Sequence, residues 1–104
     1  MELTIYWTAF AKERLVDIFE YHKIKASPRV ANKLVTAIVK HTLGLEHNSE
    51  SGQIEHTIPA TDYPCRYLVI KSYKILYQVN DKQGRIEILH VFDVRQNPLK
   101  IKDF

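Results

Sequence analysis

The chain has 104 residues, is 45% hydrophobic and carries a net charge of +3, so we expect one compact domain over residues 1–104 and exclude two ordinary domains. The single cysteine, Cys65, excludes an intramolecular disulfide and a thiolate zinc cluster, and it favours a reducing, cytoplasmic setting. No run approaches the roughly 20 apolar residues of a membrane span, and nothing after Met1 resembles a secretory signal, so no membrane contact is expected.

The first predicted elements are a strand and a helix. Leu3, Ile5 and Trp7 alternate with polar or amphipathic residues, which predicts a half-buried strand. From Thr8, which can cap a helix, the apolar period becomes helical. The expected buried stripe of this helix comprises Ala11, Leu15, Ile18, Phe19 and His22.

A second helix is predicted to begin at Ser27 and Pro28. Serine caps orphan amides, and proline is tolerated in the first turn because its missing N–H is not required there. The expected buried side of this helix comprises Val30, Leu34, Ala37, Ile38, His41 and Leu45. The two helices should form a hairpin. Residues 47–52 have loop composition, and residues 53–64 show no sustained period and are predicted to be irregular.

Three strands are predicted in the second half of the chain, over residues 66–70, 73–80 and 85–93. The last two should form a hairpin whose loop ends at Gly84, which can adopt a positive φ. The last strand is apolar on both faces and should be central. The order β-α-α-β-β-β predicts an α+β fold with a twisted antiparallel sheet, whose one face is covered by the helical hairpin and whose other face is partly open.

No motif for a cofactor or a metal is present in the sequence. The three glycines are scattered, and the five histidines lack the close spacing of a metal pair, so neither a cofactor nor a metal is predicted. The charge distribution is more informative. From Arg66 to Phe104 there are eight Lys and Arg against four Asp and Glu, which favours an acidic or polyanionic partner for the sheet region.

Three segments resemble the RelE/ParE superfamily of bacterial toxins from type II toxin–antitoxin modules: WTAFAKERLVDIFEYH, CRYLVIKSYKILYQV and ILHVFDVRQNP. The most specific pieces are the SYKILYQV strand and the RQNP exit. The resemblance implies a compact α+β toxin with a twisted antiparallel sheet and two N-terminal helices. It also implies an antitoxin that wraps and neutralises the toxin. It leaves open whether the chain forms a homodimer or a hetero-oligomer with that antitoxin.

One mechanism in this superfamily is ribosome-dependent cleavage of messenger RNA. In RelE-like members, basic side chains on the concave sheet face hold phosphates and promote attack by the 2′-hydroxyl. The resemblance assigns this role to Lys74 and Arg95, with His90 as a catalytic candidate only if the chain is a nuclease. We predict a structural role for His90. The tyrosine that RelE uses falls on Ile101, which cannot transfer a proton.

The other mechanism is the poisoning of DNA gyrase, in which ParE-like members act through binding. The helical hairpin, the IFEYH segment and the RQNP exit resemble this branch more closely. We therefore predict a ParE-like toxin of a plasmid-stabilisation system that inhibits gyrase. The alternatives are a RelE-like endonuclease and a non-toxic basic module that binds an acidic peptide or nucleic acid. The expected target- or RNA-binding residues are Arg66, Lys71, Lys74, Arg95, Gln96 and Asn97.

The toxin assignment predicts that Lys74 and Arg95 lie near each other on the uncovered, cationic side of the sheet, away from the helices. For Arg95, the structural alternative is an ion pair with Asp93 at the end of the strand. For Lys74, it is a solvated lysine on a strand. The structure therefore has to show whether these two cations meet.

Overall fold

The computed structural model describes residues 3–58 and 63–95 and shows two helices packed on one face of a five-stranded mixed sheet. In chain order, the helices and strands are β1 (Thr4–Trp7), α1 (Ala9–Lys25), α2 (Pro28–Leu43), β2 (Gln53–Ile54), β3 (Arg66–Ile70), β4 (Tyr73–Asn80) and β5 (Arg85–Asp93). The predicted α+β architecture with a helical hairpin on one sheet face is confirmed. Within the described ranges, neither helix is long and apolar enough to cross a membrane.

The strand order is β1-β5-β4-β3-β2, and the sheet is antiparallel except at one edge. There, β1 pairs with β5 in parallel, with Ile5 opposite Ile86. Parallel neighbouring strands need a long connection between them. Here the connection from β1 to β5 starts with the helical hairpin, which crosses one face of the sheet. At the other edge, the two residues of β2 pair with β3. The segment predicted to be irregular therefore contributes a short strand.

Both helices begin at the predicted caps. The Thr8 hydroxyl accepts a hydrogen bond from the Ala11 amide at 3.2 Å, and the Ser27 hydroxyl accepts one from the Val30 amide at 3.1 Å. Pro28 occupies the first turn of α2. These bonds satisfy N–H groups that have no partner inside the helix, which explains why each helix begins where it does.

The buried side of α2 differs from the predicted one. Val30 is 47% exposed, and His41 is also exposed, so the prediction that these two residues are buried is wrong. The helix instead buries Ala31, Leu34, Ile38 and Thr42. Thr42 can be buried because its hydroxyl donates to the carbonyl oxygen of Val39 at 2.7 Å, which satisfies the polar group locally.

A buried tyrosine joins the core to the loop that follows α2. Tyr77 is fully buried; its hydroxyl donates to the carbonyl oxygen of Ser49 at 2.9 Å and accepts from the Gly52 amide at 2.9 Å. A Cβ on Gly52 would lie 2.5 Å from the Tyr77 hydroxyl and 2.7 Å from the backbone oxygen of Tyr67. Only glycine therefore fits where the loop crosses the end of this side chain.

The β4–β5 hairpin contains an irregularity that decides which side chains face the helices. Gly84 ends its loop with a φ of +64°, as predicted. Leu76 pairs with His90 and Tyr77 pairs with Ile88, so Leu89 is an extra residue in β5. The bulge shifts the alternation, so that Ile88 before it and Val91 after it both lie in the core under the helices. It also explains why the period of this strand is blurred in the sequence.

Candidate functional site

The sheet face away from the helices is here called the open face. Apolar side chains cover its centre. Cys65 and Leu76 are buried in this cluster, and they are packed by Ile58, Tyr67, Leu89 and Phe92. Burial also raises the pKa of the Cys65 thiol to about 11, so the thiolate needed for nucleophilic chemistry is absent at neutral pH. Cys65 is therefore not a candidate nucleophile on this face.

Lys74 lies on the open face and already has a counter-ion. Its ammonium group forms an ion pair with the Glu55 carboxylate, and these side chains are only 19% and 7% exposed. The ammonium also lies 4.0 Å from the centre of the Tyr67 ring. Burial acts to raise the pKa of Glu55, but the hydrogen bond and charge of Lys74, together with hydrogen bonds from Thr57, leave the pKa below its usual value. Lys74 is thus neutralised where a phosphate contact was predicted.

A second buried carboxylate lies at the other end of the open face. Glu87 accepts hydrogen bonds from Gln78 at 2.6 Å, Arg85 at 2.7 Å and Asn80 at 3.5 Å. Burial acts to raise its pKa, and these bonds more than compensate, so the pKa is lowered. The network binds β4 to β5 and engages Arg85, which also stacks 4.2 Å from the Tyr6 ring centre. Sequence reasoning missed it, although these polar residues face each other across the predicted hairpin.

His90 is also on the open face, and it is buried between two aromatic rings. It is 5% exposed, and its ring centre lies 5.0 Å from those of Phe10 and Phe92. Burial lowers the pKa of His90 to about 4, and the positive charge of Arg14 acts in the same direction. The imidazole is neutral at neutral pH. This environment agrees with the structural role predicted for it.

We expect the burial of neutral His90 to make the protein less stable in mild acid. Its pKa is about 4 in the folded state, against 6.5 for the free group, so the unfolded chain binds more protons between these values. The free energy of unfolding should therefore fall by about 2.5 kcal/mol as the pH is lowered from 6.5 to 4. Urea unfolding across this range would measure it. His90→Phe is the control, because it removes the titrating group, and an unchanged slope in that variant would contradict the assignment.

A direct test of the structural role is the substitution His90→Ala. We expect it to lower the free energy of unfolding by about 2 kcal/mol, because it leaves a cavity between Phe10 and Phe92. Activity should fall only as far as the folded fraction falls. Thermal unfolding and a growth assay at matched expression would separate the two effects. A variant that melts like the parent and is inactive would return His90 to the catalytic candidates.

Arg95 lies at the exit of β5 and is held by Asp93. The guanidinium donates from Nε to Oδ1 at 3.0 Å and from Nη2 to Oδ2 at 2.7 Å, and the backbone amide of Arg95 donates to Oδ1 at 2.9 Å. The hydrogen bonds and charge of Arg95 hold the pKa of Asp93 below its usual value. The Arg95 side chain is 72% exposed. The ion pair with Asp93, the structural alternative for Arg95, is therefore present, and the cation still reaches the surface.

The structure does not bring Lys74 and Arg95 together. Lys74 is paired with Phe92 on the open face, whereas Asp93 is paired with Tyr73, which packs in the core on the helix side. Successive residues of a strand point to opposite faces, so Asp93 holds Arg95 towards the helix side. The prediction that both cations line one uncovered side of the sheet is therefore wrong.

The remaining predicted contact residues are dispersed. Arg66 donates to the carbonyl oxygen of Gly52 at 2.9 Å and so anchors the loop after α2. Lys71 is exposed in the β3–β4 turn, with a φ of +54°. Gln96 and Asn97 lie outside the described residues, as does Ile101. Of the predicted set, only Arg95 and Lys71 are exposed cations in the described part of the chain.

A group of side chains near Arg95 was not predicted as a site. His22 and Tyr73 share a hydrogen bond of 2.8 Å between Nε2 and the hydroxyl oxygen, and the Tyr21 ring packs edge-on against His22 at 5.1 Å. Burial raises the pKa of Tyr73, and the charge of Asp93 adds to this effect. Tyr21 itself is 57% exposed. The only sequence signal for this group is the adjacent pair Tyr21 and His22 at the end of the IFEYH segment.

No group of three metal-binding side chains is found among residues 3–58 and 63–95. The two cations that the sequence singled out, Lys74 and Arg95, lie in two arrangements of charge, which are the neutralised open face and the exposed Arg95 on the helix side. The first holds its ions in fixed internal pairs. The second is also an ion pair, with Asp93, but its guanidinium is 72% exposed and can contact a partner, which suits recognition rather than acid–base chemistry.

The solved structures to which the chain is similar include chains from two bacterial toxin–antitoxin systems. The chain is similar to a chain of the chromosomal ParDE system from P. aeruginosa, with 21% identity, a TM-score of 0.75, and coverage of 88% of this chain and 96% of that one. It is also similar to a chain of the RelBE2 toxin–antitoxin complex from Mycobacterium tuberculosis, with 19% identity, a TM-score of 0.60, and coverage of 89% and 99%. No curated protein sequence gives a significant match.

The fold is therefore shared with chains from these two systems. Residues 5–98 match the sequence model for the ParE toxin of the type II toxin–antitoxin system parDE, and the chain belongs to this family.

Proposed function

We propose that this chain is the toxin of a type II toxin–antitoxin module and that it arrests growth by binding DNA gyrase in the cytoplasm. The family match over residues 5–98 carries this proposal. The chemistry of the described residues supports it, because a toxin that acts by binding needs an exposed recognition surface and no proton donor or acceptor.

The alternative, cleavage of messenger RNA, is less well supported by the geometry. Such cleavage needs a cation at the phosphate and proton-transfer groups within hydrogen-bond reach of it. Among the described residues, Lys74 is paired with Glu55, and His90 is buried with a pKa of about 4. Arg95 is held on the other side of the sheet. These three candidates do not converge on one point.

We further propose that an antitoxin binds this chain. The two similar solved structures are both from toxin–antitoxin systems. The chain also has exposed apolar side chains on its helices, including Ile24 at 79% and Leu43 at 47% exposure. A partner segment that folds on binding can cover such dispersed apolar positions. A short open reading frame beside the gene is expected to encode this partner.

Expression of the chain without its antitoxin tests the proposed function. We expect growth arrest, induction of the DNA-damage response and accumulation of cleaved DNA–gyrase complexes. With purified proteins, the chain should inhibit supercoiling by gyrase. Co-expression of the product of the neighbouring open reading frame should restore growth. Messenger RNA cut at ribosomes, with gyrase unaffected, would instead identify a nuclease, and no effect on growth would identify a non-toxic binding module.

A further inference from the structure

Asp93 fixes the orientation of an arginine that would otherwise be a mobile surface side chain. The Asp93 side chain is 12% exposed and engages the backbone amide, Nε and Nη2 of Arg95. A guanidinium has five N–H donors in one plane. Asp93 occupies the Nε–Nη2 edge, and within the described part of the chain the other edge, with one N–H of Nη1 and one of Nη2, has no recorded partner. Arg95 therefore presents a fixed edge of donors to the surface.

Apolar side chains of α1 lie on the same side of the sheet as this edge. Tyr21 and Ile24, three residues apart on the exposed side of α1, are 57% and 79% exposed. Tyr21 is close enough to Arg95 for the two groups to interact electrostatically. The hydrogen bond between His22 and Tyr73 joins α1 to β4 at this place. The apolar side chains of α1 and Arg95 therefore have fixed relative positions. Tyr21, Ile24, Asp93 and Arg95 are here called the helix-side corner.

We propose that the helix-side corner binds a carboxylate side chain of a partner protein, in a segment where apolar residues flank that carboxylate. Arg95 makes the contact and Asp93 is a positioning residue. This inference deepens the proposed function and rests on it in one respect, which is that the toxin acts through a protein partner. It places the recognition site on the helix side and not on the open face.

The balance of charge favours a carboxylate over a nucleic acid backbone. Asp93 offsets the charge of Arg95, and a neutral pair attracts a polyanion weakly. The planar donor edge remains suited to two parallel bonds with a single carboxylate. Tyr21 and Ile24 add apolar area, which stabilises contact with apolar side chains and gives little to a phosphate chain.

Nuclear magnetic resonance titration with two defined peptides tests this site without requiring toxicity. The probes are acetylated, amidated helical peptides with leucine flanking either two glutamates or two glutamines, and the reporters are the amides of Tyr21 and Ile24 and the Nε–H of Arg95. We expect the glutamate peptide to shift all three signals and to bind at least about tenfold more tightly. Equal binding of the two peptides, or no shift of these signals, would overturn the proposal.

A double-mutant cycle separates positioning from folding. Asp93→Asn and Arg95→Ala should each weaken binding of the glutamate peptide about tenfold, and the double variant should be no weaker than Arg95→Ala alone. If Asp93 has a purely structural role, Asp93→Asn should weaken peptide binding equally in the parent chain and in Arg95→Ala, and it should lower the melting temperature. That result would refute the positioning role. Ile24→Ser should weaken binding, whereas Val16→Ser, an equally conservative control at a 58% exposed position of α1, should not.

Nucleic acid binding gives the decisive comparison. Arg95→Ala could weaken binding of a labelled 20-nucleotide RNA or a DNA duplex more than it weakens binding of the glutamate peptide. In that case the site binds phosphate, and the proposal fails. Unchanged nucleic acid binding supports it. The peptide titration and the gyrase assay are independent measurements. If the glutamate peptide binds but gyrase is not inhibited, gyrase is rejected as the target and the binding site is retained. If gyrase is inhibited but the peptide does not bind, only the binding site is rejected.

Discussion

Replacing Arg95 with alanine is expected to abolish growth arrest, with a loss of potency of at least about 100-fold, since hot-spot arginines dominate the interfaces that contain them. Arg95 is an exposed cation that Asp93 holds in a fixed orientation, so its removal should affect recognition directly. The melting temperature should change little, because the side chain is 72% exposed and its described contacts are with Asp93. Growth curves at matched expression and thermal unfolding of the purified variant measure the two effects.

Two matched variants sharpen this test. Lys82→Ala removes another exposed cation, in the β4–β5 loop at the far end of the sheet, and it should leave growth arrest unchanged. Arg95→Lys keeps the charge but loses the planar fork, so we expect an intermediate potency. Full toxicity of Arg95→Ala would show that the contact surface lies elsewhere. Equal losses for Arg95→Ala and Lys82→Ala would indicate a general effect of charge.

Local signals in the sequence were sufficient to predict the two helices and the four longer strands, but not β2. The caps Thr8 and Ser27 and the turn glycine Gly84 act over a few residues, and each is found where it was predicted. The face of α2 was harder to predict, because burial of Thr42 depends on a hydroxyl bond that satisfies the polar group. The parallel pairing of β1 with β5 joins strands about 80 residues apart, and strand alternation contains no information about such pairing.

The candidate site was less predictable, because it depends on contacts between distant residues. Glu55 lies in a segment without a periodic pattern, so nothing in the sequence marked it as the counter-ion of Lys74. The side of the sheet on which Arg95 lies depends on Asp93, whose orientation follows the bulge at Leu89. A single extra residue inverts the alternation after it. The identity of the exposed cation was therefore predictable, whereas its face was not.

The Glu55–Lys74 pair gives the largest expected effect on stability. Glu55→Ala should lower the free energy of unfolding by about 3 kcal/mol, because it leaves the ammonium of Lys74 buried without its counter-ion. Both side chains are less than one-fifth exposed, at 7% and 19%. Water can therefore solvate the unpaired Lys74 ammonium only in part. Urea unfolding at pH 7 measures this loss. A loss below about 0.5 kcal/mol, the range of ordinary surface substitutions, would contradict the buried pair.

The double variant Glu55→Leu with Lys74→Met separates stability from function. Apolar residues of similar volume often replace a buried ion pair at little cost, so this variant should recover most of the stability that Glu55→Ala loses. We expect it to remain toxic, because a pair that is internally neutralised contributes no free charge to a target. A folded but inactive double variant would mean that Lys74 leaves Glu55 when the target binds. Recognition would then take place on the open face, and the helix-side corner would lose its role.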